Sequence, residues 1–195
     1  QPIDLRWGVS NEAQLDQKTL ELCLEEVRES KINPHPNFLI MAGDRYGWIP
    51  LPYLIERSEY EAILTNIEKE EDKELLNIWY KLDENQIPAS YILCERKNEF
   101  VEYLNWEKVE NQLRDILQSS VNKTSLSKND KEKYFMSATE HEVIEGIFKY
   151  LNTTPFQESI LQQNKTLLQI DSENVYAYIR NIKSIDESYK NNFID

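Results

Sequence analysis

The chain has 195 residues, 40% of them hydrophobic, which is long enough for one domain with a substantial core. Its 35 acidic and 22 basic residues give a net charge of -13, which excludes general binding to nucleic acid or to an anionic membrane, because both need a basic surface. No apolar run approaches the about 20 residues of a membrane span, and the cysteines and histidines lack metal-ligand spacing, so we expect a cytoplasmic protein with buried free thiols and no metal site.

The first third of the chain has the pattern of a strand, a helix and a second strand. Residues 2–5 (PIDL) predict a short strand, and residues 19–29 predict a helix whose apolar positions recur at helical spacing. Residues 38–42 (FLIMA) form a continuous apolar run, which is typical of a strand covered on both faces in a parallel sheet. The chain begins with Gln and an apparent strand, so we expect it to be a piece of a longer protein.

Residues 50–135 differ in character and predict an inserted, mainly helical region. An acidic helical stretch over 58–82 is followed by a strand within 87–95 and an amphipathic helix over 106–120. The apolar face of that helix contains Val109, Leu113, Ile116 and Leu117. The polar segment 120–133 has the composition of a mobile linker.

The last part of the chain predicts one more helix and one more strand. Residues 137–151 place Ile144, Ile147, Phe148 and Leu151 on one helical stripe. Residues 174–182 (NVYAYIRNI) are rich in residues that favour strands. Trp79 and Trp106 have apolar neighbours at helical spacing and are expected in the core.

The segment GDRYGW, residues 43–48, follows the apolar strand directly. It lacks the Lys and Ser or Thr of a phosphate-binding loop, so its glycines predict a turn. Trp48 is then expected to pack at the edge of the core. Carboxyl ends of parallel strands are where α/β folds bind ligands, which makes Arg45 and Tyr46 candidate ligand-binding residues. DLRWGV, residues 4–9, has the same layout, and Arg6 is either an ion-pair partner of a nearby Asp or a clamp on an anionic or ribose-bearing ligand.

SATEHE, residues 137–142, contains two overlapping S/T-x-x-E pairs. Ser137 with Glu140, or Thr139 with Glu142, fits a capping box at a helix start, and this interpretation is favoured by the pattern alone. Both pairs cannot cap the same helix, so the other glutamate is available to face a cleft. A carboxylate in such a place can stabilise an oxocarbenium-like sugar or bind ribose hydroxyls.

Taken together, these motifs resemble a TIR-like domain found N-terminal to NACHT-type STAND NTPase modules in bacterial proteins. DLRWGV, TLELCLEEV and FLIMAGDRYGWIPLP follow one another as in that family, which also has members in nephrocystin-like and telomerase-associated proteins. WYKLDENQIPASYIL, SATEHEV and NVYAYIR resemble the bacterial branch in the same order, so the resemblance spans nearly the whole chain. The family's usual first strand, of the type VFISSTF, is missing from this sequence.

The resemblance implies a single flavodoxin-like α/β domain over 1–195, with a parallel sheet flanked by helices and an insertion at about 50–135. Some TIR relatives hydrolyse NAD at the nicotinamide–ribose bond with a helix glutamate, and others only assemble partners. The match implies Glu142 as the first candidate catalytic residue and Glu140 as the second.

The same resemblance implies roles for the residues at the two strand ends. Arg6 and Arg45 would position phosphates, and Trp7, Tyr46 or Trp48 would contact the ligand, with NAD(P) as substrate and no tightly bound cofactor. The implied partners are the C-terminal NTPase and sensor regions of the parent protein and further copies of the chain, in antiphage defence. The alternative function is a non-enzymatic adaptor that mediates assembly.

Overall fold

The computed structural model of the chain describes residues 3–5, 9–30, 37–44, 46–148 and 175–179. The chain divides into two compact units. The first consists of Gln1–Leu22 and Ile49–Met136, and the second of Cys23–Trp48 and Ser137–Asp195. The predicted insertion therefore belongs to the first unit, and the two predicted glutamates to the second.

The described helices are α1 Asn11–Leu15, α2 Thr19–Ser30, α3 Arg57–Thr65, α4 Glu70–Trp79, α5 Tyr103–Val121, α6 Lys128–Glu132 and α7 Ala138–Val143. A 3-10 turn occupies Asn98–Val101, and a π-helical turn, Ile144–Phe148, continues α7. The described strands are β1 Phe38–Ala42, β2 Leu54–Glu56, β3 Tyr80–Asp83, β4 Ser90–Leu93 and β5 Val175–Ile179. No described helix combines the length and apolar character needed to cross a membrane.

The second unit contains a parallel strand pair, which confirms the strands predicted at 38–42 and within 174–182. β1 pairs with β5 in a register that places Phe38 opposite Val175 and Ala42 opposite Ile179. Parallel neighbours need a crossover connection, and α7 lies on the stretch of chain that leads from β1 to β5. The described residues thus contain mixed α/β structure, whereas a flavodoxin-like order of the whole sheet stays a prediction.

The two faces of this strand pair differ in their surroundings. On one face the ring of Phe38 lies close against the backbone of Gly146 in the π-helical turn. On the other face Leu39 is 63% exposed and Met41 49% exposed. The prediction that the apolar run FLIMA is covered on both faces is therefore wrong for the described residues, because periodicity cannot show whether a covering element is present.

The first unit is built on a three-stranded antiparallel sheet in the order β2-β4-β3. Helix α3 packs against β2 and β4, and α5 packs against α3 and α4. Ile55, Tyr60, Ile63, Leu113 and Val121 are completely buried. Trp79 stands edge-on to Trp106, with ring centres 4.8 Å apart, so the prediction that both tryptophans lie in the core is confirmed.

Helix α5 also confirms its predicted position and apolar face, since Leu113, Ile116 and Leu117 are buried and Val109 packs partly against the same core. The predicted strand within 87–95 is present as β4.

Three predicted elements are corrected by the structure. Residues 3–5 form no strand, and Leu5 has 3-10 geometry. The helical character predicted over 58–82 is confirmed for most of the stretch by α3, which ends at Thr65, and α4, which starts at Glu70, but its last residues form β3. The polar segment 120–133 contains α6, whose first turn is capped by the Ser127 hydroxyl accepting from the Asp130 amide at 3.3 Å.

Candidate functional site

The segment after β1 folds back onto the start of α7, within the second unit. The Ala138 amide donates to the Trp48 carbonyl at 2.9 Å, and the Ser137 amide donates to the Tyr46 hydroxyl at 3.3 Å. Gly47 lies between the two aromatic residues with a φ of 99°, a backbone conformation that glycine adopts without strain. Gly47 thus has the positive φ expected of it, and the segment brings the Tyr46 hydroxyl and the Trp48 carbonyl to a helix start.

Ser137 is the N-cap residue of α7. Its hydroxyl accepts from the Glu140 amide at 3.2 Å, which satisfies one of the unpaired donors of the first turn. Of the two overlapping capping patterns, the structure therefore uses Ser137 with Glu140. Glu142 takes no part in capping the helix.

Glu140 is also bound through its side chain, because the Tyr46 hydroxyl donates to its carboxylate. The pKa of Tyr46 is raised, first by partial burial of the phenol and second by this bond, which favours the protonated hydroxyl. Tyr46 remains 48% exposed. The carboxylate of Glu140 is thus engaged at the helix start.

Glu142 has different surroundings, although it lies only two residues further along the helix. Its side chain is half-buried, and it makes no hydrogen bond or ion pair with any residue in the described ranges. Burial alone raises the pKa of its carboxyl group, because a low-dielectric environment disfavours the charged form. Of the two candidate carboxylates, Glu142 is the one whose oxygens accept no hydrogen bond from the described residues.

The far end of this helix is held by contacts that the sequence patterns did not predict. Glu145 is 5% exposed, and its carboxylate lies 3.4 Å from the Arg28 guanidinium of α2. Gly146 leaves room for the Phe38 ring, since a Cβ atom there would lie 2.8 Å from Phe38 Cδ2. A glycine inside a helical pattern, in a chain with only four glycines, was the one available signal of such a close approach.

Only some of the predicted site residues lie in the part of the chain that the structure describes. Tyr46, Trp48, Glu140 and Glu142 are described, and the first three lie together at the start of α7. Trp48 is 44% exposed. Arg6, Trp7 and Arg45 lie outside the described residues. In the described part of the chain no group of three acidic, His or Cys side chains is arranged to hold a metal ion.

A separate cleft of about 520 Å³ lies in the first unit, among residues that include Lys18, Tyr53, Lys81 and Cys94. None of the predicted site residues within the described ranges lines it. Cys94 is half-buried and Cys23 is buried, and neither is in a disulfide. Partial burial raises the pKa of the Cys94 thiol, so it is a poor nucleophile at neutral pH.

Comparison with known proteins places the chain among parts of much larger proteins. It is 41% identical over 93 residues to NACHT domain- and WD repeat-containing protein 1 of Mus musculus, a match that covers 47% of this chain and 6% of that protein. It is 30% identical over 167 residues to NACHT and WD repeat domain-containing protein 2 of Homo sapiens, covering 73% of this chain and 9% of that protein.

A shorter match, 43% identical over 51 residues, is to telomerase protein component 1 of Mus musculus and covers 26% of this chain and 2% of that protein. No protein-family model matches the chain, and no solved structure matches it. The chain spans less than a tenth of the length of these relatives. The predicted relation to NACHT-domain and telomerase-associated proteins is confirmed: over part of its length, this chain is homologous to a region of NACHT and WD repeat proteins.

Proposed function

We propose that the chain is a TIR-like signalling module attached to a NACHT-type NTPase, and that it hydrolyses NAD(P) when the parent protein oligomerises. The observation that carries this proposal is Glu142, a half-buried carboxylate with a raised pKa and no described bonding partner. Carboxyl groups of active sites commonly have perturbed pKa values, because they are buried in clefts where water solvates their charged form poorly. The relation to NACHT proteins supports the proposed attachment.

The proposed reaction breaks the bond between the ribose C1′ atom and the nicotinamide nitrogen. The bonding electron pair leaves with nicotinamide, which becomes neutral, and positive charge develops on the ribose ring. The Glu142 carboxylate would stabilise this oxocarbenium-like charge and accept hydrogen bonds from ribose hydroxyls. Water then adds to C1′ and loses a proton, which gives ADP-ribose or its phosphorylated counterpart.

The other residues of the proposed site would bind the substrate. Trp48, which is 44% exposed, would stack on a base of the substrate. Arg6 and Arg45 would position phosphates through their planar guanidinium groups, and Trp7 would add to the aromatic contacts. NAD(P) is a substrate in this proposal, and no tightly bound cofactor is needed. The proposed setting is the cytoplasm, in antiphage defence.

The decisive experiment measures nicotinamide release from NAD by the full-length protein in its activated, oligomeric state. We expect release by the unmodified protein and its loss, by about two orders of magnitude or more, in Glu142→Gln. Glu74→Gln is a matched control, because Glu74 is an exposed helical glutamate of the first unit. Absence of nicotinamide release in every activated state would overturn the enzymatic proposal.

A non-enzymatic adaptor is the second candidate, and the open face of the strand pair favours it. Leu39 and Met41 of β1 are exposed beside Tyr176 and Tyr178 of β5, with which they are in register. β1 and β5 contain no charged residue. Exposed apolar surface of this kind is typical of protein–protein contacts.

The adaptor candidate predicts that a charge on this face prevents assembly. We expect Met41→Lys to abolish oligomerisation of the full-length protein in sedimentation velocity, because an unpaired ammonium would be buried in the contact. Leu104→Lys is the control, since Leu104 is an equally apolar residue that is 72% exposed on α5. Unchanged oligomerisation of Met41→Lys would exclude this face as the assembly surface.

A further inference from the structure

Three hydrogen bonds join the segment after β1 to the first turn of α7, and a fourth caps that turn. Tyr46 donates to Glu140 and accepts from the Ser137 amide, Trp48 accepts from the Ala138 amide, and the Ser137 hydroxyl caps the Glu140 amide. Tyr46 and Glu140 thus each take part in two of these hydrogen bonds. We call the Tyr46–Glu140 pair, with the backbone bonds beside it, the latch.

The latch lies where the inserted segment leaves and re-enters the second unit. Trp48 is the last residue of the second unit before Ile49–Met136, and Ser137 is the first after it. Bringing the two ends of so long a segment together costs conformational entropy, and the hydrogen bonds of the latch offset part of that cost. Within the second unit the latch is therefore the place where the end of β1 is tied to the start of α7.

The latch also bears on the orientation of Glu142. That residue lies within the first two turns of α7, two positions beyond the bound Glu140. Helical backbone is stiff over one turn, so the direction of the Glu142 side chain follows from how the helix start is held. A displacement of a catalytic group by about 1 Å can lower turnover 100-fold.

We propose that Tyr46 and Glu140 are positioning residues, and that their bond regulates the site by setting the orientation of Glu142. This inference rests on the proposed function of Glu142. It also revises two sequence expectations, because Tyr46 then acts through the helix rather than on a ligand, and Glu140 acts through its hydrogen bond rather than as a second catalytic carboxylate. Any movement that separates Tyr46 from Glu140 is expected to lower activity.

The structural part of this inference is tested by amide hydrogen exchange on the full-length protein. In Tyr46→Phe we expect the amides of Ala138 and Glu140 to exchange roughly three- to ten-fold faster, because both hydrogen bonds of the Tyr46 hydroxyl are lost. Tyr103→Phe is the matched control, since Tyr103 is 57% exposed on α5, and it should leave these amides unchanged. Unchanged exchange in Tyr46→Phe would overturn the latch.

The functional part is tested by comparing two substitutions of Glu140. Glu140→Gln keeps an oxygen that accepts from Tyr46, and we expect it to retain activity within about two-fold. Glu140→Ala and Tyr46→Phe remove the bond and are expected to lower kcat about ten-fold with little change in KM.

Two results would overturn the positioning roles. Inactivity of Glu140→Gln equal to that of Glu142→Gln would make Glu140 a catalytic carboxylate. A rise in KM without a fall in kcat in Tyr46→Phe would make Tyr46 a substrate-binding residue. If no nicotinamide is released by the unmodified protein, the proposed function fails, and the exchange experiment still decides whether the latch holds the helix.

Discussion

The two glutamates of helix α7, Glu140 and Glu142, have different surroundings. The Glu140 carboxylate is bound by the Tyr46 hydroxyl, whereas Glu142 is half-buried without a described partner. The sequence limits the choice to these two residues, because only one S/T-x-x-E pair can cap the helix. The choice between them depends on Tyr46, which lies far away in the sequence, so the local pattern could not make it.

At this scale we predict that Glu142 lowers the stability of the folded protein at neutral pH. Burial raises its pKa above the ordinary value of 4.5, so between the two pKa values the folded protein binds more protons than the unfolded chain. Stability therefore falls as pH rises through that window and stays lower above it. Glu142→Gln removes the penalty and should stabilise the protein at pH 7, with no gain at about pH 3, where both states carry the proton.

Because the Glu142 carboxyl is partly exposed, we expect the gain at pH 7 to stay below about 1 kcal/mol, or roughly 1–3 °C in Tm. Thermal unfolding followed by circular dichroism at both pH values measures it. Glu74→Gln should show no such pH-dependent gain. A loss of stability in Glu142→Gln at pH 7 would mean that the carboxylate makes a stabilising contact, which is contrary to the proposed role.

At the scale of elements, α7 and its π-helical turn are held at both ends. The latch holds the first turn, and the close approach of Phe38 to Gly146 fixes the second end against β1. π-Helical turns interrupt helices and frequently lie at functional sites. The periodic stripe predicted over 137–151 is present in part: Ile147 is buried and Ile144 half-buried, while Leu151 lies outside the described residues.

We predict that Gly146→Ala destabilises the protein, although the same change normally stabilises a helix by up to about 1 kcal/mol. The added Cβ would lie 2.8 Å from the Phe38 ring, so we expect a loss of about 1–3 kcal/mol in urea denaturation. The double variant with Phe38→Leu should recover part of the loss.

Gly47→Ala is the control for this prediction. It is expected to destabilise the protein because the φ of 99° at this position is strained for alanine. The added Cβ atom meets no other atom within 4 Å, so Phe38→Leu should not restore the lost stability. Equal stability of Gly146→Ala and the unmodified protein would show that the close approach to Phe38 has no energetic weight.

At the scale of the whole molecule, charge and apolar surface act in opposite directions. The chain carries a net charge of -13, which opposes contact between two copies. The exposed face of β1 and β5 carries no charge, so it is the kind of surface on which copies could meet with the least repulsion. If the chain is an adaptor, charge repulsion opposes the apolar attraction between copies, so assembly should depend on the salt concentration.

If copies associate through this face, we predict that salt strengthens the association. Raising the salt concentration from 0.05 to 0.5 M shortens the screening length severalfold. We expect the apparent Kd of self-association, measured by sedimentation velocity, to fall about ten-fold, because repulsion is screened and apolar contacts are not weakened. Association that weakens with salt would indicate an interface based on ion pairs instead.

Several elements were predictable because a single pattern determined them. The amphipathic spacing of α5, the apolar run of β1 and the Ser137 cap need only neighbouring residues, and each is present. β2 and β3 were missed because they are three and four residues long, too short for a periodicity to stand out.

The amino-acid sequence by itself determined the acidic character of the chain, its main helices and strands, and the pair of glutamates from which a carboxylate could be chosen. These properties depend on composition and on contacts between residues close in the chain. Only the tertiary structure decided that Tyr46 binds Glu140, that Arg28 meets Glu145 and that Phe38 needs Gly146. Such contacts join residues distant in sequence, and their geometry arises only when α2, β1 and the segment after it meet α7 and its π-helical turn.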